Sequence, residues 1–173
     1  MTTRDALPVV ITSARLTLRA PVLADLDQLV ALANNWKVVE STAVMPFPYR
    51  PADGLAFLGG LDDPANPRAY AISTAGTFMG VVSLKFAQAV PELGYWLGEP
   101  FWGQGYAPEA VTALLGAVQA TGAIPRVTAR VLLSNPASIR VLEKAGFTAT
   151  ERTTSVVERH AGKPLLVMGW TAS

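Results

Sequence analysis

The chain predicts a mixed α/β layer fold with its elements in the order βααβββαβαββ. Three observations carry that reading. Stretches such as "ARLTLRA" (14–20) alternate apolar and polar residues with the period of a half-buried strand. The stretch that follows Pro108 repeats apolar residues at helical spacing instead. Glycine and proline punctuate the joints between such stretches. With 173 residues, half of them hydrophobic, the chain has the material for one core and is read as one domain, 1–173.

The first strand sets Leu16 and Leu18 against Thr17 and Arg19. A helix follows, with Asp25 and Gln28 spaced as a capping box and Leu26, Leu29, Val30 and Ala33 as its apolar stripe. From Asn34 to Tyr49, "NNWKVVESTAVMPFPY" has neither period, and the segment is expected to face a substrate, with Arg50 beyond it as an acceptor contact. A second short helix begins near Pro51 and ends at Gly59 and Gly60. Strands are expected at 69–74, 78–85 and 92–97, the first two joined by a turn at Ala75 and Gly76.

The next helix takes Pro108 at its first position and Glu109 where the dipole favours a negative charge. Its apolar face is Ala110, Val111, Leu114, Leu115 and Val118, and it stops at Gly122. A strand at 126–132 and a helix at 135–147 closed by Gly146 come next. "TTSVVER" (153–159) and "PLLVMGW" (164–170) then form a closing hairpin, with His160 in its turn on the surface.

Composition narrows the chemistry. Cysteine is absent and histidine occurs once, so acyl-cysteine intermediates, disulfides and zinc sites built on cysteine or clustered histidine are excluded, and no metal is expected. A net charge of +1 with both signs scattered offers no basic stripe for nucleic acid. No window approaches the roughly 18 consecutive apolar residues of a membrane span, and "MTTRDALPVV" lacks the long apolar stretch of a signal peptide, so a cytoplasmic protein is expected.

The sharpest local signal is "FWGQGYAPEA" (101–110), in which Gly103 and Gly105 flank Gln104 at the mouth of a helix. Helix N-termini leave N–H groups without partners, and glycine admits positive φ and close approach of a ligand, so the loop fits an anion held by main-chain donors. It fits a tight strand-to-helix turn equally well. A P-loop is excluded because no Gly, four residues, Gly-Lys-Ser/Thr string exists. A dinucleotide fingerprint is excluded because Pro108 stands where a small residue is needed.

"ELGYWLGEPFWGQGYAPEAV" followed by "SNPASIRVLEKAGF" resembles the GNAT superfamily of N-acetyltransferases, and most its RimJ/RimL-type branch, over nearly the whole chain. The resemblance implies acetyl-CoA as cosubstrate and a protein N-terminal α-amine or small-molecule amine as acceptor. It implies that pyrophosphate rests on the backbone of Gly103, Gln104, Gly105, Tyr106, Ala107 and Pro108. The pantetheine would lie along Tyr95, Trp96 and Leu97, with Asn135 as a further contact. Trp102 occupies the slot that usually holds Gln or Arg. A bulge is implied to splay the 92–97 strand from its neighbour, freeing N–H groups around Tyr95 to Leu97 for the oxyanion.

Amine attack on a thioester also needs a proton acceptor for the ammonium and a proton for the departing thiolate. The superfamily's helix tyrosine is replaced by Leu142, and Ser138 matches the hydroxyl of the RimL-like pattern. Asn135 and Ser138 are equally the start of a helix, with Asn135 as N-cap. Glu92, opening its strand, and Glu158, on the closing hairpin, are the candidate bases; each is also read as a solvated strand-edge carboxylate. A noncatalytic CoA-binding module on the same fold is the alternative, and monomer and homodimer are both allowed.

Overall fold

The computed structural model describes residues 2–173. Eight strands form one sheet in the order β1-β2-β3-β4-β5-β6-β8-β7. They are β1 (Val10–Thr12), β2 (Thr17–Arg19), β3 (Arg68–Thr74), β4 (Thr77–Lys85), β5 (Glu92–Leu97), β6 (Arg126–Leu132), β7 (Thr148–Thr154) and β8 (Pro164–Thr171). Five helices are interspersed: α1 (Leu26–Ala33), α2 (Trp36–Val39), α3 (Pro51–Gly59), α4 (Tyr106–Thr121) and α5 (Pro136–Lys144). Every neighbouring pair of strands is antiparallel except β5 and β6, which run parallel.

Strand alternation sends side chains to two cores. On the α4/α5 face, Leu18, Met79, Val82, Leu84, Leu93 and Leu97 pack with Ala110, Val111, Leu114, Leu115, Val118 and Leu142. On the other face, Ala69, Ala71, Phe78 and Val81 pack with Leu29 and Ala33 of α1, and with Tyr49 and Trp96. Each fully buried Leu, Val or Phe here contributes about 1.5–3 kcal/mol relative to exposure, so the central strand β4, buried on both faces, anchors the sheet.

The helices α1, α3, α4 and α5 fall where their periodicity puts them, and Ala75 (φ 47°) and Gly76 (φ 80°) form the two-residue turn between β3 and β4. Several local readings change. The strand read at 14–20 shortens to β2, and its antiparallel partner β1 lies before that stretch, too brief for alternation to mark it. Asp25 does not cap α1. Its carboxylate accepts from the Val22 N–H at 2.9 Å and pairs with both Arg19 Nη atoms at 2.8 Å, while Gln28 Oε1 accepts the Phe78 N–H at 2.7 Å. The Arg19 guanidinium beside Asp25 holds that buried carboxyl below its ordinary range.

Pro108 is the third residue of α4, because the helix starts at Tyr106 with Gly105 as N-cap. Proline is tolerated there because the N–H groups of a first turn have no intrahelical acceptor. The closing hairpin exists, but its first strand is the exposed "TATERTT" (148–154). Residues 155–160 are a loop ending in a 3-10 turn, Glu158–His160, so Glu158 is not on a strand. His160 is not a surface residue: it is 4% exposed, and its Nε2–H donates to the Glu40 carbonyl at 2.6 Å.

Candidate active site

Strands β5 and β6 open the site by parting. Their pairing covers only Glu92 with Thr128 and Leu93 with Ala129. Beyond it, β5 stays paired with β4 through Leu97, and the register runs from Lys85–Glu92 to Gly80–Leu97 without a shift. The splay is therefore present without the bulge in β5 that the resemblance implied. A register irregularity lies one pairing away, between β3 and β4 beside Gly80. A Cβ on Gly80 would stand 2.2 Å from the Trp96 carbonyl oxygen, so glycine is what lets β5 lie this close.

The Gly98 N–H donates to the Met79 carbonyl at 2.8 Å. Antiparallel alternation from that bond assigns the Trp96 N–H to β4 and turns the N–H groups of Tyr95 and Leu97 toward the gap. Of the span 95–97 named from the sequence, two residues therefore present donors to the gap, and Trp96 does not. Its side chain packs on the opposite face.

The gap is the floor of a cleft of about 1450 Å³. One end is the 101–108 loop. Gly103 (φ 73°) and Gly105 (φ 79°) are left-handed, and a Cβ on Gly103 would meet no protein atom within 4 Å. The N–H groups of Gly103, Gln104, Gly105, Tyr106 and Ala107 have no acceptor in the protein among the described residues, and the dipole of the 16-residue α4 lies behind them. Free N–H groups at the mouth of a helix form a cradle whose chemistry fits the pyrophosphate of the CoA expected from the motif.

The brace for that cradle comes from far away in the chain. Arg15, in the β1–β2 turn, donates from Nη1 to the Gln104 carbonyl at 2.9 Å and pairs through Nε with Glu109 Oε2 at 2.7 Å, while its guanidinium lies 4.4 Å from the Tyr106 ring centroid. The Arg15 N–H and the Ser13 hydroxyl both donate to Glu109 Oε1, at 2.8 and 2.7 Å. Burial tends to raise the Glu109 carboxyl, but these donors outweigh it and hold the group below its ordinary range. Sequence reading assigned Glu109 to the helix dipole alone. Its pairing with Arg15 carries no local signal.

Trp102 and Gln104 are tied to protein rather than offered to a ligand. The Trp102 indole N–H donates to the Leu97 carbonyl at 2.7 Å, and Gln104 Nε2 to the Pro100 carbonyl at 3.1 Å. On the opposite wall, Asn135 Oδ1 accepts the Ser138 N–H at 3.2 Å, so Asn135 is the N-cap of α5 and Pro136 its first residue. The Ser138 hydroxyl lies 2.7 Å from the Tyr95 hydroxyl. Burial pushes the Tyr95 phenol up, against a smaller opposing effect of the Ser138 hydrogen bond. Leu142, one turn on, is buried.

The two candidate bases separate. Glu92 lines the cleft and is ion-paired with Arg130 Nη2 at 3.3 Å. Glu158 is exposed and is not part of the cleft lining. The far wall is the segment without periodicity, residues 36–45, clasped from across the sheet. Arg159 Nη1 donates to the carbonyls of Val39 and Thr42 at 3.0 and 3.1 Å, and its Nη2 donates to the Met45 carbonyl. Arg50, by contrast, is the exposed N-cap of α3 and does not line the cleft. Arg159 and His160 line it without having been anticipated.

Such a splayed sheet, with a backbone cradle at the mouth of a helix, defines an acyltransferase that draws its acyl group from a CoA thioester. A family model described as "Acetyltransferase (GNAT) domain" matches residues 15–148, and the chain belongs to that family: it is an N-acetyltransferase that uses acetyl-CoA. Mycobacterium smegmatis RimJ in complex with CoA-disulfide superposes with TM-score 0.83 at 20% identity, covering 96% of this chain and 89% of that one. RimL, a ribosomal L7/L12 alpha-N-protein acetyltransferase in complex with coenzyme A, does so with TM-score 0.82 at 21% identity over 94% and 98%. Spermidine N-acetyltransferase from Vibrio cholerae, in complex with CoA and spermine, reaches 0.76 at 20% identity over 92% and 96%. At these identities the likeness is one of fold, and it includes the RimJ/RimL branch the motifs resemble. No curated protein matches the chain significantly. Among the described residues no helix is long and apolar enough to cross a membrane, and no group of three His, Cys, Asp or Glu is placed to hold a metal ion.

Proposed function

We propose that the enzyme moves acetyl from acetyl-CoA directly onto a primary amine, the α-amine of a protein N-terminus or a small-molecule amine, in a ternary complex. The observation that carries this is the convergence at the β5–β6 gap. The N–H groups of Tyr95 and Leu97 face it, and the Ser138 hydroxyl lines the same cleft beside the Tyr95 hydroxyl. The two N–H groups stabilise the thioester oxygen as it gains charge, and Ser138 protonates the departing sulfur. Residues 103–107 hold the pyrophosphate, Asn135 sets the first turn of α5, and Trp102 ties the cradle to β5.

The absence of cysteine supports direct transfer, since it removes the common acyl-enzyme nucleophile. An α-amine near pKa 8 costs about 1 kcal/mol to deprotonate at pH 7, against about 4.6 for a lysine near 10.4. The energetics favour the α-amine.

The test is thiol release from acetyl-CoA across a panel of N-terminal peptides, polyamines and small amines, with CoA binding measured calorimetrically alongside. Release that depends on one class of amine supports the reading and names the acceptor. Tight CoA binding with no release over any acceptor overturns it in favour of a noncatalytic CoA-binding module.

A further inference from the structure

We infer that His160 is the general base that takes the proton from the acceptor ammonium, an inference that rests on the acetyl-transfer reading above. His160 is the only histidine in the chain, and it sits buried in the wall of the cleft. Its Nε2 lies 2.6 Å from the Glu40 carbonyl oxygen, which can only accept, so Nε2 carries the hydrogen. In the neutral ring the lone pair is then on Nδ1. Nδ1 has no protein partner, and among the described residues Arg4 Nε is the buried side-chain nitrogen sealed away without one. Nδ1 is therefore not sealed off, and the side chain that carries it lines the cleft.

The alternatives fit less well. Glu158 is two residues away but outside the cleft, and Glu92 is held by Arg130 at the closed end of the β5–β6 pairing. The charged groups on the same wall are Lys37, Glu40, Arg159 and Lys163. Arg159 is committed to backbone carbonyls and Lys37 is paired with Glu99 at 2.6 Å.

One ammonium proton passes to Nδ1 and on to solvent, and the freed lone pair forms the N–C bond as the C–S bond breaks with its electrons on sulfur. Of the two hydrogens left on nitrogen, one stays in the amide. The other is lost, offsetting the proton that sulfur takes from Ser138, which is reprotonated.

The deciding variant is His160→Gln, whose side-chain N–H₂ retains a donor for the Glu40 carbonyl while deleting the basic nitrogen. The expected result is a fall in kcat/KM of about a hundredfold or more, loss of the low-pH limb of the pH profile, and unchanged melting temperature and CoA affinity. A His160→Gln enzyme with wild-type rate and pH profile overturns the assignment. NMR of the single imidazole is the second measurement: a lone pair on Nδ1 is expected, and one on Nε2 overturns it. If the wild type releases no thiol with any amine, the acetyl-transfer reading fails and takes this inference with it. An active wild type with an unaffected His160→Gln variant sinks this inference alone.

Discussion

The hydroxyls of Tyr95 and Ser138 stand 2.7 Å apart across the space between β5 and α5, sharing one hydrogen bond. In the protein alone either oxygen can donate. In the role proposed for Ser138 its hydrogen goes to sulfur, so only Tyr95 is left to donate between the two hydroxyls, and the phenol would aim the serine proton at the leaving group. Ser138→Ala is expected to lower kcat about tenfold to a hundredfold with CoA affinity unchanged. Tyr95→Phe removes only the aiming bond, so a smaller fall of about twofold to tenfold is expected, matching a neutral hydrogen bond of about 0.5–1.5 kcal/mol. Steady-state rates with calorimetric CoA binding check both, and a proportional loss of CoA affinity marks Ser138 as a ligand instead.

Gly103 is where the cradle is most exposed to a test. A side chain there meets no protein atom within 4 Å and stands within the run of unpaired N–H groups, residues 103–107. Gly103→Glu adds bulk and a like charge, and CoA affinity is expected to fall by at least about tenfold, about 1.4 kcal/mol. Gly103→Ala carries the same positive-φ strain without the charge, and a smaller loss in that variant isolates the electrostatic part.

Arg159 holds the far wall of the cleft by donating to three backbone carbonyls of residues 39–45. Arg159→Met keeps most of the stem and removes the donors. The acceptor KM is expected to rise about tenfold while the KM for acetyl-CoA stays within about twofold, because the cradle is built from other elements. Equal rises in both constants place Arg159 in general stability.

Asp25 offers a pH test of the fold. Its folded-state pKa is depressed by Arg19, so its contribution is present above the unfolded carboxylate value near 4 and is lost as pH falls through the lower folded value. Asp25→Asn is expected to cost about 1–3 kcal/mol at pH 7, and the gap from wild type is expected to close below about pH 4. Chemical denaturation at pH 7, 5 and 3 measures it; a gap independent of pH assigns the loss to packing.

Glu109 and Arg15, and the Glu40 carbonyl and His160, show where sequence reading stops. Helices α1, α3, α4 and α5 and strands β3 to β6 were legible because each buries a face whose period is written locally. The glycine loop before α4 was legible because its glycines and the helix start beside them are contiguous. Asp25 misled because its three-residue spacing to Gln28 is compatible with a cap, whereas Arg19 and the Val22 N–H claim Asp25 and the distant Phe78 amide of β4 claims Gln28. The closing hairpin slipped because all of β7 is exposed, so no apolar alternation marked "TATERTT".

By itself, the sequence determined the mixed α/β class, the glycine loop at the mouth of α4, the exclusion of cysteine chemistry and the likeness to N-acetyltransferases, all properties of contiguous residues or of composition. Only the tertiary structure decided which side chains share the cleft. It parted β5 from β6, joined Tyr95 to Ser138, braced the cradle with Arg15 from 89 residues away, and brought His160 against Glu40 from 120 residues away. Such pairings depend on how separate elements pack, and a long-range contact leaves no periodicity in the chain that makes it.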